Sequence, residues 1–226
     1  MIIMAEKILE VRDLKTYFPG RNETVKAVDG VSFEVYKGET FGLVGESGCG
    51  KSQTCRSILG LLKKPGQVVG GQIILDGQDI THLKEKELRK LRGKEMSVIF
   101  QEPMTSLSPV LKIKKQLMEV FDGEPMTKAE KKKRAIELLR MVGIPSPEAR
   151  MEEYTFQFSG GMRQRAMIAM ALGAKPKLLI ADEPTTALDV TIQDQIMKLI
   201  NELKQELGMS VILVTHDLGV IAQMCD

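Results

Sequence analysis

Gly45-Glu46-Ser47-Gly48-Cys49-Gly50-Lys51-Ser52 sets three glycines, a lysine and a hydroxyl in the pattern G-x-x-x-x-G-K-[ST]. Glycines at that spacing let the backbone wrap closely and turn its N–H groups inward, forming an anion nest at a helix N-terminus. Lys51 then brings a point charge to β/γ-phosphates, and the Ser52 hydroxyl is a ligand for Mg²⁺. A glycine-rich turn with an incidental lysine is the bland alternative. The flanks argue against it: apolar Thr40 to Val44 leads in and helix-compatible Lys51 to Leu61 leads out. Binding of a nucleoside triphosphate is the expectation.

Two further clusters carry chemistry. Leu178-Leu179-Ile180-Ala181-Asp182-Glu183 puts two acids at the end of an apolar strand. Asp182 would hold Mg²⁺, and Glu183, pointing elsewhere, would polarise an attacking water. Ser159-Gly160-Gly161 opens a helix, with Ser159 placed as N-cap and the glycines leaving N–H groups uncovered. That is an anion site with no lysine of its own, of little use to a monomer and well suited to a dimer that sandwiches nucleotide. By itself it is only a well-capped helix.

The elements that must position these groups follow from periodicity. Ile8–Val11 and Val31–Val35 alternate apolar with polar, predicting half-buried antiparallel strands, and Gln72–Leu75 before Asp76-Gly77 predicts a strand entering a hairpin. Thr81 is the expected cap of a charged helix reaching Leu91. Met96–Phe100 is a short strand ending at Gln101-Glu102-Pro103. Thr127-Lys128-Ala129-Glu130 is a capping box opening a helix to about Val142, closed by Gly143. A helix over 161–172, a buried strand over 177–181, a helix over 190–207 and a buried strand over 210–214 follow. Asp217 starts a helix expected to be still running at Asp226, which predicts a longer parent chain.

Bulk composition sets limits. At 226 residues, 43% hydrophobic and 27% charged, the chain reads as an ordinary globular protein. A net charge of +2 gives no case for a nucleic-acid partner. The Lys131–Arg134 run is flanked by acids and reads as a solvated helix face. No run approaches the ~20 apolar residues of a membrane span, and the first residues lack the pattern of a secretory signal. Three cysteines, Cys49, Cys55 and Cys225, make neither a disulfide framework nor a metal set. A reducing, intracellular location is the default. Fourteen methionines with no tryptophan point to a Met-filled core.

Taken together, Gly45–Ser52, Ser159–Gly161 and Leu178–Glu183 resemble the ATP-binding domains of ABC transporters, in family order along nearly the whole chain. The resemblance implies an α/β fold: a P-loop NTPase core with a mostly parallel sheet, an antiparallel β subdomain and an inserted helical subdomain. Residues 1–100 would hold the β subdomain and P-loop core, and 101–158 the helical subdomain. Residues 159–226 would hold the signature helix, Walker B, D-loop and switch histidine. Phe18, or else its neighbour Tyr17, would stack on adenine. Gln101 would link Mg²⁺ and water to the helical subdomain, Ala187-Leu188-Asp189 would touch a partner subunit, and His216 would contact the γ-phosphate. Without the resemblance, Phe18 reads as core, Asp189 as an N-cap and His216 as a capping-region residue.

Ala27-Val28-Asp29-Gly30-Val31-Ser32-Phe33, Gly42-Leu43-Val44 running into Gly45–Ser52, Phe100-Gln101-Glu102-Pro103-Met104-Thr105-Ser106-Leu107 and Phe156-Gln157-Phe158-Ser159-Gly160-Gly161-Met162-Arg163-Gln164-Arg165 look like the oligopeptide and dipeptide importer subfamily. Phe158 stands where Leu is commoner, and the family's further strands and cysteine cluster beyond the histidine are not in this sequence. The resemblance implies an ATPase using ATP and Mg²⁺ at the cytoplasmic face of the membrane. Its partners would be a second ATPase subunit placed head-to-tail, two transmembrane permease subunits and, indirectly, a solute-binding protein. A non-peptide transporter, an exporter or a soluble ABC-type ATPase is the alternative.

Overall fold

The computed structural model describes residues 6–102, 106–186 and 188–226. Two four-stranded sheets organise them. The first is antiparallel, in the order β2-β1-β4-β5, with β1 Lys7–Pro19, β2 Thr24–Tyr36, β4 Gln67–Leu75 and β5 Gln78–Asp79. The second is parallel, in the order β3-β8-β7-β6, with β3 Thr40–Val44, β6 Met96–Ile99, β7 Leu178–Asp182 and β8 Ser210–Thr215. The expected strands are present, and β1 and β2 run well beyond the stretches whose alternation marked them.

β7 and β8 are buried throughout, which is why they read as continuous apolar runs. Their alternate residues serve two cores. Leu178, Ile180, Ile212 and Val214 join Leu9, Val11 and Ile73 of the antiparallel sheet and Cys55 and Ile58 of α1, Lys51–Leu59. Leu179, Ala181, Val211 and Leu213 face the other way, toward α6, Gly160–Leu172, and α7, Val190–Leu207. Buried Met167, Met197 and Met209 lie in that second core, as the methionine count predicts.

Between them in sequence stand α2, Glu85–Leu91, then α3, Ile113–Glu119, α4, Lys128–Met141, and α5, Pro147–Arg150. α4 begins with the expected box: Thr127 accepts from Glu130 N, and Glu130 reaches back to Thr127 N. Lys131 in its basic run pairs with Asp122 at 2.7 Å. α8, Leu218–Met224, is the last helix. No helix of the described residues is long and apolar enough to cross a membrane. Pro103, Met104, Thr105 and Ala187 lie outside the described residues.

Two local expectations are corrected. Lys84, not Thr81, precedes α2 as its N-cap. Thr81 is occupied earlier: its Oγ1 donates to Asp79 Oδ1 at 2.5 Å and accepts from Ile73 N at 2.8 Å. The final helix does not run on to Asp226 but stops at Met224. There the Asp226 carboxylate takes Thr40 N at 2.7 Å and Lys204 Nζ at 3.0 Å, bonds that helical continuation would not place.

Candidate functional site

In-register pairing puts the ends of the parallel strands at one edge. Val44 pairs Thr215, Asp182 pairs Val214, and Ile99 pairs Ala181. The segments that leave those ends therefore converge: 45–50 after β3, Gln101 after β6, Glu183 after β7 and His216 after β8. Ligands of open parallel α/β sheets bind at that edge.

The 45–52 loop is built as its glycines require. Gly48 and Gly50 have φ of 84° and 98°, and Gly50 is the N-cap of α1. A Cβ at Gly50 would collide with the carbonyl oxygen of Ala27, so the loop lies directly against β2. Lys51 is buried, and its Nζ donates to Gly45 O at 2.6 Å and Glu46 O at 2.8 Å. Ser52 Oγ donates to Asp182 Oδ1 at 3.0 Å, joining the loop to the strand carboxylate. Burial holds the Asp182 carboxyl above the usual range, an effect that the Ser52 hydrogen bond opposes.

Glu183 sits at φ 47°, in the left-handed region, with its N–H donated to Val214 O at 3.0 Å. Its carboxylate has partners of its own, distinct from the Ser52 hydroxyl that meets Asp182. Oε2 accepts from Gln101 Nε2 at 2.9 Å and from Thr186 Oγ1 at 3.0 Å, while Oε1 lies 3.5 Å from His216 Nδ1. Residues 46–53, Gln101, Glu183, Thr186 and His216 line one cleft of about 920 Å³, closed on the β2 side by Val25, Lys26 and Ala27. A space of several hundred Å³ is typical of small-molecule sites.

Thr186 was invisible to sequence reasoning as a site residue. The available signal was a hydroxyl three places after the acid, a spacing at which Ser and Thr close local turns. Tyr17 and Phe18 are both half-buried, and neither borders the cleft directly. The Phe18 ring covers Gly66, where a Cβ would overlap it. Tyr17 donates to Asp29 Oδ1 at 2.7 Å and carries Lys26 Nζ over its ring at 5.4 Å, and Lys26 is part of the cleft wall.

Ser159 caps α6, accepting from Met162 N at 3.2 Å. Ser159, Gly160 and Gly161 are not among the cleft's walls. Their neighbours are Leu188 and Ile192, beside which Asp189 caps α7 by accepting from Ile192 N at 2.9 Å. In a single chain the 159–161 segment thus stands apart from the 45–52 loop.

The family model described as ABC transporter matches residues 28–186. The chain belongs to the ABC transporter family. It is 52% identical over 227 residues to the oligopeptide transport ATP-binding protein OppD of Bacillus subtilis (strain 168), covering 100% of this chain and 63% of that relative. It is 54% identical over 221 residues to AppD, another oligopeptide transport ATP-binding protein of that organism, covering 97% of this chain and 67% of the relative. The chain therefore spans about two thirds of the length of these family members. Among solved structures, the dimeric ATP-binding cassette MJ0796 bound to ADP and Pi matches with a TM-score of 0.82 at 29% identity, covering 94% of this chain and 89% of that one. CbiO1 of Clostridium perfringens, part of the ABC transporter complex CbiONQ, matches with a TM-score of 0.81 at 29% identity, over 98% and 83%. The α/β architecture with its parallel and antiparallel sheets is the ABC ATPase fold.

Proposed function

We propose that the chain binds and hydrolyses ATP as a subunit of an importer of di- or oligopeptides, working head-to-tail with a second ATPase subunit on two permease subunits at the cytoplasmic face of the membrane. The observation that carries the hydrolytic part is the Glu183 carboxylate, held by Gln101 and Thr186 on the wall of the phosphate-loop cleft. The peptide cargo, delivered by a solute-binding protein, rests on the resemblance to OppD and AppD.

ATP would lie with its phosphates in the 45–52 loop, where Lys51 exchanges the carbonyls of Gly45 and Glu46 for phosphate oxygens. Tyr17 is the better candidate for the adenine stack, since Lys26 joins it to the cleft while Phe18 is turned against Gly66. The donor set fits Mg²⁺: a hydroxyl and a carboxylate 3.0 Å apart are hard oxygen ligands, and this ion takes few protein ligands beside phosphate. Ser52 and Asp182 would hold it, with Gln101. Such an ion would supply charge neutralisation to the transferred phosphoryl group.

Glu183 takes a proton from the attacking water, His216 lies at its other oxygen and by the γ-phosphate, and Gln101 keeps the carboxylate aimed. Ser159-Gly160-Gly161 closes over the ATP of the other subunit, with Leu188 and Asp189 at the seam. Loss of one preorganised charge-stabilising group costs on the order of 3 kcal/mol, roughly a hundredfold in rate. ATP favours the closed pair over the open one, and segment 101–158, hinged at Gln101, passes closure to the permease.

The test is transport. The full-length protein is reconstituted with its partner ATPase, permease pair and solute-binding protein in vesicles, with ATP on the side of the ATPase. ATP-dependent accumulation of a labelled tripeptide is expected. Hydrolysis with no accumulation of any short peptide would overturn the cargo assignment, and no hydrolysis at all would overturn the ATPase reading.

A further inference from the structure

α6 is packed with apolar side chains on its inner face, and one amide is buried among them. Gln164 is only 1% exposed, beside buried Ala166, Met167 and Ile168. A buried amide is unfavourable unless its hydrogen bonds are made. Its Nε2 donates to the carbonyl oxygen of Pro184, the residue directly after Glu183.

The backbone around Glu183 is therefore pinned from two sides. β8 holds its N–H through Val214 O at 3.0 Å, and α6 holds the next carbonyl through Gln164. A non-glycine residue stays at φ 47° only where its surroundings over-determine it, and these two bonds contribute to doing so. α6 is itself anchored at the next position. Arg165 Nη1 donates to Val142 O at 2.8 Å at the end of α4, and Nη2 to Gln195 Oε1 at 3.2 Å on α7. Five residues upstream of Gln164, the same helix starts at Ser159-Gly160-Gly161.

One rigid helix thus carries at its start the anion site that would serve the other subunit's nucleotide, and one turn later the amide that fixes this subunit's carboxylate. We propose that Gln164 is a positioning residue that couples the two nucleotide sites within a chain, setting the direction of Glu183 according to where α6 stands. This rests on the head-to-tail ATPase reading. Gln164 touches no substrate; it acts through Pro184 on Glu183. A shift of α6 on engaging the second nucleotide moves the Pro184 carbonyl and, with it, the carboxylate.

Gln164→Met keeps the volume and removes the donor. In the full-length protein with its partner subunit, ATP hydrolysis, affinity for a fluorescent ATP analogue and thermal melting are measured beside the wild type. Misplacing a reacting group by ~1 Å costs roughly a hundredfold, so kcat should fall about 10- to 100-fold while analogue affinity holds. On a Glu183→Gln background, the same substitution should leave the residual single-turnover rate unchanged, because the group it positions is already gone. A wild-type kcat in Gln164→Met, or equal proportional losses in both backgrounds, overturns the proposal. If Gln164→Met melts below the assay temperature, Gln164→Asn carries the comparison with the same expected loss, since its amide is one methylene too short for Pro184. A wild-type protein that hydrolyses no ATP would instead remove the reading on which the proposal rests.

Discussion

Gln101 donates its side-chain amide to Glu183 Oε2 at 2.9 Å, joining the end of β6 to the end of β7 across 82 residues of sequence. With Thr186 on the same oxygen, both oriented bonds fall on one side of the carboxylate. The other oxygen is left toward His216 and the cleft. Glu183→Gln removes the proposed general base and leaves the 45–52 loop intact. General bases contribute about 10²- to 10⁴-fold, so phosphate release should fall by at least about a hundredfold while binding of a fluorescent ATP analogue persists. Normal turnover in that variant would refute the base assignment.

Tyr17 and Phe18 are separated by substitution. Tyr17→Ala removes the ring beneath Lys26. The apparent KM for ATP should rise several-fold, a stack being worth about 1 kcal/mol, with thermal stability nearly unchanged. Phe18→Ala uncovers Gly66. Its effect should be on stability, on the order of 2 kcal/mol for a half-buried ring, with KM little altered. Reversed outcomes in melts and steady-state kinetics would assign the stack to Phe18.

Thiol reagents should find one cysteine first. Cys49 is exposed in the phosphate loop, whereas Cys55 is buried and Cys225 half-buried. Burial pushes both of the latter thiols up, disfavouring the reactive thiolate. A maleimide should label Cys49 fastest, abolish hydrolysis in proportion, and be slowed by ATP, as read by peptide mass spectrometry beside a phosphate assay. Full activity after complete labelling of Cys49 would show that the loop tolerates the bulk.

The two sheets are tied by ions. Lys177 Nζ, just before β7, reaches Asp76 at 2.8 Å on the β4–β5 turn and Glu95 at 2.9 Å. Hydrogen bonds from Lys177 and then Lys37 hold the Asp76 carboxyl below the usual carboxylate range. A depressed carboxylate stabilises the fold above its unfolded pKa of about 3.9, and that contribution is lost as pH falls through the folded value. Lys177→Met should therefore lower the melting temperature slightly near about pH 7, an exposed network contributing no more than ~1 kcal/mol to stability. The difference should vanish near about pH 2. An equal loss at both would mean that packing of the lysine stem dominates.

How much was legible depended on where each group found its partner. β7 and β8 announced themselves because strands buried on both faces have nothing but apolar residues to show. Thr127 and Glu130 satisfy each other three residues apart, so the start of α4 could be read directly. Thr81 misled because Asp79, two residues back, competes for its hydroxyl. Tyr17 and Phe18 could not be assigned faces by alternation, since β1 carries a register shift between Thr16 and Tyr17. Gln164 interrupts an apolar helix face for the sake of a carbonyl 20 residues away, and no local pattern reveals such a bond.

The ammonium of Lys51 rests on Gly45 O and Glu46 O within its own loop. The loop thus supplies its own buried lysine with oxygen partners. On the proposed reading, an arriving triphosphate would not recruit a new charge but would trade those two carbonyls for its own oxygens. Lys51 would then add to affinity only the margin between the two sets of oxygens, and loss of the outermost phosphate would narrow that margin.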